Sequence, residues 1–155
     1  MGTLGVRRDG ACKRAPTSCE VMTTKSIGAV AVGVLVIVGV TTLVDVVLHV
    51  LHVYPAMDQP LDHALSVLAT SYRIVIGIAG AWLTARLAPN QPMKHAMILG
   101  YIGTVLGFVG LLVTWNKGLG PRWYAAAHVV LAIPECWIGG KIHEMRSRQR
   151  EATGA

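Results

Sequence analysis

The sequence predicts an all-α fold, a four-transmembrane-helix antiparallel left-handed bundle, and three observations carry that expectation. Of its 155 residues, 53% are hydrophobic and the mean hydropathy is +0.52, beyond the range of ordinary soluble domains. Four apolar stretches, 26–53, 64–87, 96–115 and 123–142, each reach the ~20 residues that a helix needs to cross the hydrocarbon layer. The pieces between them, YPAMDQPLDH, APNQPMK and NKGLGP, are rich in Pro, Gly, Asn and Asp, which end helices and turn the chain.

Residues 1–25 carry Arg7, Arg8, Lys13, Arg14 and Lys25 without apolar periodicity, as expected of a disordered basic cytoplasmic leader. The apolar run that follows is too long for the core of a signal peptide, which has about 7–15 residues. Met22 is an alternative start, in which case the first 21 residues have no structural role. Residues 26–143 then form the transmembrane domain and 144–155 a basic cytoplasmic tail.

The net charge of +6 raises nucleic acid as a partner, but the basic residues flank apolar segments and do not form a patch, so the expected partner is the lipid bilayer. Eleven Lys and Arg fall in the leader, the second loop (Arg86, Lys94) and the tail (Lys141, Arg146, Arg148, Arg150), against Lys117 and Arg122 on the other side. Both termini are therefore expected in the cytoplasm, with Asp58 and Asp62 outside. The three cysteines, Cys12, Cys19 and Cys136, have no CxxC or zinc spacing, which argues against a disulfide scaffold.

Within each span the small and polar residues fall at steps of three and four, along one face of a helix: Thr42, Asp45, His49, His52; Ser66, Thr70, Arg73, Gly77, Gly80, Thr84; Gly100, Gly103, Gly107, Gly110, Thr114; Ala125, His128, Ala132, Glu135, Gly139. Such seams bring backbones together in membrane bundles. Packing does not need charge, however, and a cation near mid-membrane costs roughly 2.5–3.5 kcal/mol unless it finds a partner. At 1.5 Å rise per residue, Asp45, Arg73 and Glu135 lie roughly 12, 15 and 18 Å from the outer ends of their spans. They are expected to form a buried charge cluster, with Asp45 and Arg73 as the principal pair and Glu135 as a second acid. His49, His52 and His128 form a shallower outer layer, and Gly103 and Gly107 face it without side chains, either tightening the bundle or leaving a small cavity.

These residues leave several functions open. The cluster is either a salt-bridge network that fixes helix register or a proton or ligand site. The histidines are interfacial hydrogen-bonding groups, metal ligands or, for His49 and His128, axial haem ligands, and no metal or cofactor is assigned. No Ser or Cys sits in a nucleophile motif, and neither HExxH nor a phosphate loop occurs, so the chain is not expected to be an enzyme. Arg86, Lys94, His95 and His143 would form a cytoplasmic rim for lipid headgroups.

The pieces Asp45-Val-Val-Leu-His49, Ser71-Tyr72-Arg73, Thr84-Ala-Arg86-Leu-Ala-Pro89, Pro92-Met-Lys-His95-Ala, Leu99-Gly100, Pro121-Arg-Trp123-Tyr124 and Trp137-Ile-Gly139-Gly140 resemble a group of small bacterial four-helix integral membrane proteins of uncharacterised function. The resemblance covers about two-thirds of the chain and implies that Asp45, His49, Arg73 and His95 are signature positions. At the position of Glu135 that pattern more often has a small or apolar residue, and its start near Lys25 favours Met22. It implies a multi-pass protein of the bacterial inner membrane. The leading expectation is a non-enzymatic small membrane subunit or partner-binding module, as a homo-oligomer or with a membrane partner protein. The alternatives are a proton-linked or small-cation transporter component using Glu135 and His128 and, behind it, a metal- or haem-dependent redox protein.

Overall fold

A computed structural model describes residues 16–55, 59–118 and 120–154, with side chains from Thr24 onward. Among these residues the chain forms four helices and no strand: α1 (Pro16–Val50), α2 (His63–Leu87), α3 (Pro92–Thr114) and α4 (Arg122–Ala152). Three stretches, Thr24–Val50, α2 and α3, are long and apolar enough to cross a membrane. α1 starts ten residues before the expected span, so residues 16–25 are helical where a disordered leader was expected; residues 1–15 lie outside the described residues. α4 likewise runs on through the basic tail to Ala152.

Local chemistry sets the ends. α1 closes in a Schellman arrangement: His52 takes a left-handed conformation (φ 55°), its N–H donates to the His49 carbonyl, and the Val53 N–H donates to the Leu48 carbonyl at 3.0 Å. α2 stops because Ala88 precedes Pro89, which pushes the backbone out of the helical region (ψ 124°). Pro92 occupies the first turn of α3, where its missing N–H costs nothing.

The interior is built from small residues. Ala29, Ala69, Ala81, Ala85 and Ala96 are buried, Leu99 is the largest aliphatic side chain among the buried core, and Ser66 and Thr84 are fully buried with their hydroxyls donating to the carbonyls four residues back. Large apolar side chains face outward, including Leu35, Leu43, Val105, Leu112 and Val130, each more than 60% exposed, an arrangement that needs lipid around it.

Close approaches fix the pairing. On α1, Gly33, Ile37 and Asp45 meet Thr84, Gly80 and Arg73 of α2. On α4, Val129, Ala132 and Cys136 meet Gly107, Gly103 and Gly100 of α3. α2 and α4 touch backbone to backbone at Gly139, where an added Cβ would lie 2.5 Å from the Ile78 carbonyl oxygen and 2.8 Å from the Trp82 amide nitrogen. At the other end of this pair the Trp123 indole N–H donates to His63 Nδ1 at 3.1 Å. α1 packs on α2 and more sparsely on α3, and among the described residues it makes no backbone approach to α4.

Candidate functional site

The gap that α1 leaves beside α4 is a partly open cavity of about 830 Å³ at the end of the bundle that carries the loops after α1 and α3. Its walls include Asp45 and His49 of α1, Arg73 of α2, Gly107 of α3, and Tyr124 and His128 of α4. Gly110, also in the wall, leaves open space where a Cβ would lie, whereas a Cβ at Gly107 would contact Val129.

Arg73 is the centre of this arrangement. Its Nη2 donates to Asp45 Oδ2 at 2.7 Å, and the Tyr72 hydroxyl donates to the other carboxylate oxygen. Both Asp45 oxygens are thereby engaged from consecutive residues of α2. The Tyr72 hydroxyl also lies 3.2 Å from that of Tyr54, a residue only 7% exposed, so the chain just after α1 is tied back onto α2. His49 donates Nδ1–H to the Asp45 carbonyl at 2.8 Å and meets the Tyr54 ring edge-on at 5.3 Å. On the α4 side the Arg73 guanidinium lies 5.7 Å from the Tyr124 ring centroid, within cation–π range, and Tyr124 packs edge-on against His128 at 4.7 Å. Arg73 Nε and His128 Nε2 are buried without a hydrogen-bond partner. The site is thus rich in unused nitrogen capacity, while Asp45, its one carboxylate among the described residues, is already engaged.

Several expected members are elsewhere. Glu135 makes no ion pair with Arg73: its carboxyl packs over Gly77, one turn further along α2, and it does not line the cavity. The three-residue charge cluster is therefore a pair with a separate acid. His52 is exposed and serves as the helix cap of α1, so the histidine layer reduces to His49 and His128. Thr42, expected on the inward stripe, is exposed. Among the described residues, no group of three His, Cys, Asp or Glu side chains comes together in a way that would hold a metal ion. Tyr54, Tyr72 and Tyr124 are the contributors that the periodicity did not single out as site residues.

The basic rim is also redistributed. Arg86 and His143 share a small pocket with Trp82, Arg146, Ser147 and Arg150. Lys94 and His95 lie outside it on the first turn of α3, where His95 Nδ1 donates to the Gln91 carbonyl at 3.2 Å.

In comparisons with known proteins, no family model, no curated protein and no solved structure matched this chain.

Proposed function

We propose that this is a non-enzymatic binding module of the bacterial inner membrane, an antiparallel, left-handed bundle of four spans with both termini in the cytoplasm, which holds a lipophilic ligand in the Arg73 cavity. The fourth span is supported by the way α4 hides its polar groups. Glu135 packs against Gly77 and His128 faces the cavity, while Val130, Trp137 and Ile138 are exposed to the surroundings. The excess of Lys and Arg at the terminal side supports the orientation, which makes the cavity open outward.

The observation that carries the reading is the cavity of about 830 Å³ around a guanidinium whose carboxylate partner is itself fully engaged. The size suits a small molecule, and the nitrogen groups of Arg73 and His128 call for oxygen acceptors on it, a carbonyl or carboxylate head. Leu111, Ala125 and Trp115 offer apolar wall for its body. A cation would meet the guanidinium first, and Glu135 lies outside the cavity, so a carrier for protons or small cations using Glu135 and His128 has less support. Among the described residues the lining contains neither Ser nor Cys, which favours binding over covalent catalysis.

The test is a thermal-stability assay in a neutral detergent with dodecanoate and dodecylamine as probes of equal chain length. Dodecanoate is expected to stabilise the protein and dodecylamine not, and Arg73→Gln is expected to abolish the difference. Equal stabilisation by both probes, or an undiminished dodecanoate effect in the variant, overturns the reading.

A further inference from the structure

The second concave site lies at the opposite end of the bundle from the cavity. Trp82 and Arg86 sit one turn apart at the end of α2. Because Gly139 lets the two backbones touch, the residues one to three turns later on α4, His143, Arg146, Ser147 and Arg150, arrive at the same place. Together they line a half-open pocket of about 60 Å³, room for a few water molecules or one small oxyanion.

The charge arrangement there is unbalanced. The guanidinium carbons of Arg86 and Arg146 lie 5.5 and 5.7 Å from the centroid of the same indole, that of Trp82, and Arg150 lines the same pocket. Among the described residues, none of the three arginines has a carboxylate partner and no acid lines the pocket. The nearby acid of α4, Glu144, is committed to Lys141 at 3.0 Å and Arg148 at 2.6 Å. Like charges gathered around one ring repel one another unless an anion joins them. Two further groups await a partner: Trp82 Nε1–H and His143 Nδ1 are both buried and unpaired.

Three guanidinium groups and an indole N–H supply donors, and such a set suits a compact anion with several oxygens around one centre. We propose that this pocket binds the phosphate group of a membrane lipid. The lipid source is favoured by position: the pocket spans the C-terminal end of an apolar helix and the polar C-terminal turns of α4, and the exposed Leu87 and Met145, next in sequence to Arg86 and Arg146, offer a surface for acyl chains. The inference is independent of what fills the Arg73 cavity.

The full chain in a neutral maltoside detergent is titrated with dioctanoyl phosphatidic acid, with dioctanoylglycerol, which has the same chains and no phosphate, and with inorganic phosphate; binding is followed by native mass spectrometry and thermal shift. Phosphatidic acid is expected to bind and stabilise, with dioctanoylglycerol inactive and inorganic phosphate much weaker. The double variant Arg146→Gln/Arg150→Gln is expected to lose about tenfold in affinity. The control Lys94→Gln/Arg148→Gln removes the same charge at the same end of the bundle and is expected to keep it. Trp82→Phe keeps the ring and removes the N–H, and is expected to weaken binding several-fold. Equal loss in the control means diffuse surface charge and overturns the site. Equal binding of dioctanoylglycerol overturns the phosphate, and equal binding of inorganic phosphate overturns the lipid source. Circular dichroism of each variant separates loss of binding from loss of fold.

Discussion

Arg73 reaches across from α2 to place its guanidinium 2.7 Å from the Asp45 carboxylate on α1, and the neighbouring Tyr72 closes on the other carboxylate oxygen of the same acid. The two side chains are 30% and 27% exposed, so the pair is neither a free surface bridge nor a dry internal one. Together with the Tyr54–Tyr72 contact it ties the loop-side half of α1 to α2, and among the described residues the α1 backbone makes no close approach to α4.

Asp45→Asn and Arg73→Gln are therefore expected to be non-additive. In a double-mutant cycle measured by denaturation in mixed detergent micelles, a coupling of about 1–3 kcal/mol is expected. Additive effects would mean that the contact does not contribute to stability.

Tyr72→Phe removes one hydrogen bond to a charged acceptor and keeps the ring. A loss of about 1.5–3 kcal/mol is expected in the same assay, with a smaller loss for Tyr54→Phe, whose hydroxyl bonds a neutral partner.

Gly139 and Gly77 both leave no room for a Cβ, but for different reasons. At Gly139 the obstacle is the backbone of Ile78 and Trp82, which cannot yield; at Gly77 it is the end of the flexible Glu135 side chain. Gly139→Ala is expected to cost about 1–3 kcal/mol by overpacking and to loosen α2 from α4. Gly77→Ala is expected to cost less. Thermal unfolding in detergent ranks the two, and an equal cost would contradict the backbone contact.

His52 adopts a positive φ that only glycine adopts freely. Relief of this strain is expected to make His52→Gly stabilising by up to about 1 kcal/mol, and dodecanoate binding is expected to be unchanged. Loss of that binding in the variant would return His52 to the site.

Burial, with Arg86 and Arg150 nearby, holds the His143 imidazole below its ordinary value of 6.5, so the ring is neutral at pH 7. The folded state then takes up this proton less readily than the unfolded chain. Any stabilising contribution from His143 is present above pH 6.5 and lost as pH falls through 6.5 toward the depressed folded value. Nitrogen-15 NMR of the imidazole is expected to show the lowered titration, and to show it moving upward when phosphatidic acid is added, because the anion offsets Arg86 and Arg150. A titration at the ordinary value would contradict the buried, cation-flanked setting.

Some of the site is legible from helix arithmetic. Asp45 and Arg73 lie at similar distances from a shared turn on consecutive helices, and residues so placed meet when those helices pair. The same arithmetic misplaces Glu135. Depth does not fix which neighbour a side chain packs on: Glu135 differs from Arg73 by the same ~3 Å as Asp45 does, yet its carboxyl sits against Gly77. His52 leaves the stripe because α1 ends at Val50, and a helical period has no meaning beyond the helix. Arg146 and Arg150 read in sequence only as basic tail residues, because only the side-by-side packing of α2 and α4 brings them to Trp82.

The sequence alone determined the all-helical class, the apolar surface and the turns that separate the helices, because hydropathy and Pro, Gly and Asn placement act on each segment by itself. Tertiary structure decided which helices touch. Gly139 and Gly110 both lie on small-residue stripes and look equivalent in one dimension, yet one is wedged against the backbone of α2 and the other has nothing within 4 Å. Adjacency belongs to pairs of surfaces, and the cavity lies where, among the described residues, the backbones of α1 and α4 do not come together.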